Sequence, residues 1–140
     1  MYTIKHLIHF DTDIQYVYKS IATIEGLRQW WTVQTTGVSE LNETIDFRFG
    51  ERYFIQMKVI ELEPNKMVRW ECVQAEPDWI GTIITFDLDL IEGKIVLRFS
   101  HDKWPTHSDF FAHCNLSWAK YLLSLKLYLE NGKGSPFKPD

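Results

Sequence analysis

The chain has 140 residues and a formal charge of −4, and 45% of its residues are hydrophobic. That is enough for one domain, spanning 1–140, that buries roughly two-thirds of its unfolded surface without disulfides or metal. No run of Lys and Arg occurs anywhere, which excludes nucleic acid or an anionic membrane as the main partner. No window reaches about 18 apolar residues, and Met1–Asp11 lacks a basic segment followed by an apolar one, so a cytoplasmic protein with no stable membrane insertion is expected.

Tyr2 to Phe10 alternates, with Ile4, His6, Ile8 and Phe10 on one face and Thr3, Lys5, Leu7 and His9 on the other, which predicts a first strand. Asp11-Thr12-Asp13 supplies N-cap side chains ahead of Ile14, Val17, Tyr18 and Ile21, whose spacing predicts a short helix ending near Ala22. A second short helical piece runs from Ile24 to Trp31, and Thr32 to Gly37 breaks the pattern. Alternation then returns in Ile45–Phe49, Tyr53–Val59, Val68–Cys72, Ile84–Leu90 and Ile95–His101. Gly50-Glu51, Glu63-Pro64-Asn65-Lys66, Glu76-Pro77-Asp78 and Glu92-Gly93 separate these runs as turns. One side of the resulting sheet is apolar and the other polar, as in an antiparallel meander.

Thr106-His107-Ser108-Asp109 resembles a capping box, with Thr106 placed to cap. Trp118, Leu122, Leu125 and Leu129 follow at helical spacing until Gly132 stops the helix. A helix from about Ser108 to Asn131 is ~35 Å long, enough to cross the sheet. Cys72 and Cys114 are the only cysteines; they lack metal-ligand spacing and read as reduced, buried thiols.

Three segments, Gly26-Leu-Arg-Gln-Trp-Trp-Thr, Trp79-Ile-Gly-Thr and Trp118-x2-Tyr-Leu-x-Ser-Leu-Lys-x-Tyr-Leu-Glu-x-Gly-Lys-Gly-x-Pro, carry a resemblance. They are similar to the START-like, or SRPBCC, superfamily, in the branch named for the activator of the heat-shock protein 90 ATPase, in a single-domain form. The resemblance implies an α+β helix-grip fold: a curved antiparallel sheet of about six to seven strands around a long C-terminal helix, with two short helices after strand 1. Superfamily members carry lipids, sterols or hormones, cyclise polyketides, or act as co-chaperones, so the fold alone leaves the function open. The activator proper carries a separate N-terminal domain that engages the chaperone, and no segment of that size precedes Tyr2.

The expected activity is binding of a small, largely hydrophobic, lipid-like molecule between sheet and helix. Its wall is drawn from Trp31, Phe47, Phe49, Ile55, Met57, Trp70, Ile84, Phe86, Phe99, His101, Cys114 and Trp118, side chains that could equally fill a core. Val68 and Leu97 belong to the same inward set. Trp31 is expected to pack inward, with Trp30 near the entrance or both forming a plug. His6 and His101 either orient a ligand or sit at strand ends in water. His101, Asp102, His107, Asp109 and His113 match no metal-ligand spacing. Arg69 and Glu71 reach the interior only if a bulge reverses their phase. Trp104-Pro105 is a gate or a rigid staple before the last helix, and Gly132–Pro136 is a terminator and tail. No cofactor is called for and no nucleophile motif is present. Co-chaperone-like interaction, a cyclase- or hydrolase-like enzyme in the same cavity, and a homodimer stay open.

Overall fold

The computed structural model describes residues 1–140. Strand β1 (Tyr2–Phe10) leads into helices α1 (Ile14–Ala22) and α2 (Ile24–Trp30). Six strands follow: β2 (Thr35–Gly37), β3 (Thr44–Phe49), β4 (Tyr53–Glu63), β5 (Met67–Gln74), β6 (Ile83–Ile91) and β7 (Lys94–Trp104). Helix α3 (Asp109–Asn131) closes the order. All seven strands form one sheet in the order β1-β7-β6-β5-β4-β3-β2, with every pair antiparallel. From β2 to β7 neighbours in sequence are neighbours in space, and only β1 crosses to pair with the last strand. This is the helix-grip arrangement.

The alternation read from the sequence sets the buried face. Ile45, Phe47, Met57, Val59, Val68, Trp70, Ile84, Phe86, Leu88, Leu97 and Phe99 are buried and belong to one continuous core. Trp118, Leu122 and Leu125 of α3 join that core, as do Val17, Ile21 and Leu27 from α1 and α2. Burying one Leu or Phe side chain contributes about 1.5–3 kcal/mol, so this face supplies most of the folding drive. Arg69 and Glu71 stay on the outer face. The register shifts of the β4–β5 pair fall between Gln56 and Met57 and between Val59 and Glu61, so the phase of β5 is not reversed. Arg69 pairs there with Glu61 at 3.2 Å.

Three local expectations change. Thr35–Gly37, expected only as a break, is an edge strand paired with Ile45–Phe47; three residues are too few to show alternation. Thr106 does not cap α3: Ser108 occupies the N-cap position, and the Thr106 hydroxyl donates instead to Asp78 across the loop at 3.4 Å. Trp30 is fully buried rather than at an entrance, because its indole N–H donates to the Ser20 carbonyl at 2.8 Å and ties α2 to α1. Gly26 makes that contact possible, since a Cβ there would fall 2.6 Å from both the Lys19 oxygen and the Ser20 Cα.

The segment after α3 is more than a terminator. Gly132, at φ 83°, ends the helix in the left-handed region. The chain then folds back so that the Ser135 amide donates to the Ser124 hydroxyl at 2.7 Å. Further on, Phe137 N–H donates to the Trp31 carbonyl at 2.8 Å, and the Val33 amide donates to the Phe137 carbonyl at 3.1 Å. A Cβ on Gly134 would lie 2.5 Å from the Gln29 oxygen, so this return path requires glycine. The first and third family-like segments thus have physical work in the fold.

Candidate functional site

A cavity of about 300 Å³ lies between the first half of α3 and the ends of β3, β4 and β5. Twelve of its sixteen lining residues are hydrophobic, which makes it an apolar chamber rather than a polar cleft. Phe49 and the β3–β4 turn region Arg52–Ile55 form one side, and Ala75, Glu76 and Trp79 form the opposite rim. Helix α3 contributes Phe110, His113, Cys114, Ser117, Trp118 and Tyr121, positions separated by one, three or four residues that share one helix face. Trp31 closes the inner end, and Phe137 from the returning tail completes the wall, packing edge-on against Phe49 with ring centroids 5.5 Å apart.

The twelve residues nominated from the sequence divide into two groups. Trp31, Phe49, Ile55, Cys114 and Trp118 line the cavity. Phe47, Met57, Trp70, Ile84, Phe86, Phe99 and His101 do not; they are buried in packed core. The middle of the sheet is filled by rings in direct contact: Trp31 on Phe47 at 4.3 Å, Trp70 on Phe86 at 5.1 Å, Phe86 on Phe99 at 5.3 Å and Phe99 on Trp118 at 4.5 Å. Space opens only where the strand ends spread away from the first half of α3. Steps of three or four along α3 from Cys114 and Trp118 would have found Phe110, Ser117 and Tyr121. No sequence signal points to Phe137.

His101 is neither a ligand clamp nor a strand end in water. It is fully buried and sits in a directed chain of hydrogen bonds. The Trp118 indole N–H donates to His101 Nδ1 at 3.1 Å. The Thr82 hydroxyl donates to the Trp79 carbonyl, so its oxygen is free to accept from His101 Nε2, 2.8 Å away. The imidazole is therefore the neutral Nε2–H tautomer. Burial lowers its pKa to about 3, and protonation at Nδ1 would also set two N–H donors against each other. The chain links α3, β7 and the loop bearing Trp79, and so fixes two tryptophans of the cavity wall.

The remaining titratable candidates are scattered. Cys114 is held as a thiol, with burial first among the causes that raise its pKa to about 11. Cys72, in β5 and not among the residues lining the cavity, rises to about 12 by burial. Arg52, Glu76 and His113 are the charged or titrating groups at the rim, all solvent-exposed. His107 stacks on Tyr2 at 4.4 Å, and no three of the His, Cys, Asp and Glu side chains converge in ligand geometry. Trp104 is fully buried against Phe111 and His101, with centroids 5.1 and 4.9 Å away, so it is a staple rather than a gate. His6 lies half-buried in β1 beside Phe99.

An open antiparallel sheet gripping a C-terminal helix over an apolar chamber defines a START-like domain. Residues 11–130 match the model of the activator of Hsp90 ATPase homolog 1-like protein family, and the chain belongs to that family. The Aha1 dimer of Colwellia psychrerythraea, solved in solution, is 40% identical; the match covers 96% of this chain and all of that one, with a TM-score of 0.88. A crystal structure from Staphylococcus saprophyticus is 19% identical over 96% of both chains (TM-score 0.79), and one from Mesorhizobium loti is 14% identical over 92% of this chain and 97% of that one (TM-score 0.80). These last two share the fold. Among curated proteins no significant match is found. No helix is long and apolar enough to cross a membrane.

Proposed function

We propose that this protein binds a small, largely apolar molecule in the chamber under the first half of α3. The observation that carries this is the wall itself: Trp31, Trp79 and Trp118 with Phe49, Phe110, Tyr121 and Phe137 around about 300 Å³. Such a volume is at the lower end for a drug-sized ligand and suits a fused-ring compound or a single lipid chain. Trp31, Phe49, Ile55, Cys114 and Trp118 are the contact residues carried forward from the sequence. The exposed Arg52, Glu76 and His113 mark where a polar end of the ligand leaves the chamber. The two buried free thiols suit a reducing compartment, the cytoplasm.

Native mass spectrometry of the freshly purified protein, followed by denaturing extraction, tests the proposal. A stoichiometric apolar species is expected, and its occupancy should fall in Ser117→Trp, where an indole occupies the chamber. An empty protein that also takes up no 2-ethylnaphthalene overturns it.

A second reading, self-association, is favoured by a separate observation. Leu116, Leu123 and Leu127 are 73%, 60% and 41% exposed, and their spacing of seven and four places them on one stripe of α3 facing away from the core. The 40% identical Colwellia psychrerythraea protein is a dimer. Sedimentation equilibrium should give a dimer that Leu123→Glu converts to monomer; a wild-type monomer at about 100 times the concentration used in binding assays sinks this reading.

A further inference from the structure

Every wall of the chamber but one is built into the hydrogen-bonded frame. Phe49 and Arg52–Ile55 belong to the β3–β4 hairpin, whose turn is held by the Gly50 amide donating to Gln34 Oε1 at 2.9 Å. The loop carrying Glu76 and Trp79 is closed on itself: the Gly81 amide donates to the Cys72 carbonyl at 2.8 Å, and the Cys72 amide to the Thr82 carbonyl at 2.9 Å. Helix α3 supplies the third side, and Trp31, at the end of α2, the inner end. Phe137 alone comes from outside these elements, from the tail that follows α3.

No residue from 132 to 140 is buried. The tail is held at three points: the Ser135 amide on the Ser124 hydroxyl, the Phe137 amide on the Trp31 carbonyl, and the Val33 amide on the Phe137 carbonyl. A segment with few buried apolar contacts and exposed hydrogen bonds is among the first to open. Gly132 supplies the hinge, since it stands at φ 83° and a Cβ there would meet nothing within 4 Å. The Phe137 ring reaches from the tail to the β3–β4 turn: its Cζ lies 3.6 Å from the place of a Cβ on Gly50, and its centroid 5.5 Å from that of Phe49. Lifting the tail therefore removes one aromatic side of the chamber and leaves the sheet and α3 intact.

We infer that residues 132–140 form a strap over the chamber, swinging on Gly132 to carry Phe137 out of the wall when ligand enters or leaves, and closing over it when bound. This rests on the cavity reading above and adds the route by which the chamber is entered.

The anchorage of the strap can be changed without touching the chamber, because neither Ser124 nor Gly134 lines it. Ser124→Ala removes one of the three anchors. Gly134→Ala would set a methyl 2.5 Å from the Gln29 oxygen and 3.0 Å from the Ser124 carbonyl oxygen, which forces the strap off its path. Association and dissociation rates of 2-ethylnaphthalene are measured by stopped-flow fluorescence for both variants and the wild type. A strap that must open in either direction makes both rates rise together in Ser124→Ala, by roughly two- to tenfold, the range one net hydrogen bond supplies, with Kd held within about twofold. Gly134→Ala should raise both rates further and weaken binding, because Phe137 is then lost from the wall. Unchanged rates in Ser124→Ala despite faster amide exchange at Phe137, or a Gly134→Ala protein whose association rate stays at the wild-type value, overturn the inference: Phe137 is then a fixed wall, and the chamber is a binding site entered elsewhere. A wild type that takes up no probe overturns the cavity reading, and the strap with it.

Discussion

Lowering the pH from 7 to 5 perturbs the His101 relay in a way whose size follows from the structure. The folded imidazole has a pKa of about 3, against 6.5 for the free side chain. Between those values the unfolded chain binds a proton that the folded chain refuses, so stability falls as pH falls. The contribution is complete above pH 6.5, erodes below it, and levels off near pH 3. At pH 5 the unfolded side chain is about 1.5 units below its pKa, which makes the loss about 2 kcal/mol at 1.36 kcal/mol per unit. The assay is urea denaturation at both pH values for the wild type and for His101→Gln. Glutamine can accept from Trp118 and donate to Thr82 without titrating. The variant starts less stable at pH 7, and the wild type should lose about 2 kcal/mol more than the variant on going to pH 5. Equal losses in the two proteins, or an imidazole that titrates near 6.5 in the folded state by NMR, would refute the relay.

Other outcomes follow from packing. Gly26→Ala forces a methyl to 2.6 Å from the α1 backbone and should cost about 2–3 kcal/mol despite the better helix propensity of alanine, read as a lower urea midpoint; an unchanged midpoint would mean α1 and α2 are not locked at this contact. Phe86→Trp, in packed core at 0% exposure, should cost about 1–3 kcal/mol and leave 2-ethylnaphthalene binding intact. Ser117→Trp should do the reverse, abolishing probe binding with a stability change under about 1 kcal/mol; if both variants behave alike, chamber and core are wrongly divided. Ser124→Ala removes the acceptor of the Ser135 amide and should cost about 1 kcal/mol or less, with faster hydrogen exchange at Ser135 and Phe137 as the tail lets go. Unchanged exchange at both amides would show that the tail is held by Phe137 alone.

The sequence by itself determined the order of the elements other than the edge strand β2, the buried face of each long strand and the stop of α3 at Gly132. These are local consequences of period 2, period 3.6 and turn chemistry, legible in single segments such as Ile45–Phe49 or Trp118–Leu129. It also flagged Gly26, Trp79 and the Trp118–Pro136 run through their resemblance to a family. Only the tertiary structure decided which inward residues touch empty space. Phe86 and Phe49 have the same alternation, yet Phe86 meets Trp70 and Phe99 while Phe49 borders the chamber. Alternation tells which face a side chain takes and nothing of how far the opposite layer stands from it. His101 shows the same limit: its phase is visible in the strand, but its partners, Thr82 and Trp118, are 19 and 17 residues away. Phe137 is the extreme case. It reaches the chamber because the chain turns back after α3 and pairs with Thr32, a contact across more than a hundred residues that no local pattern encodes.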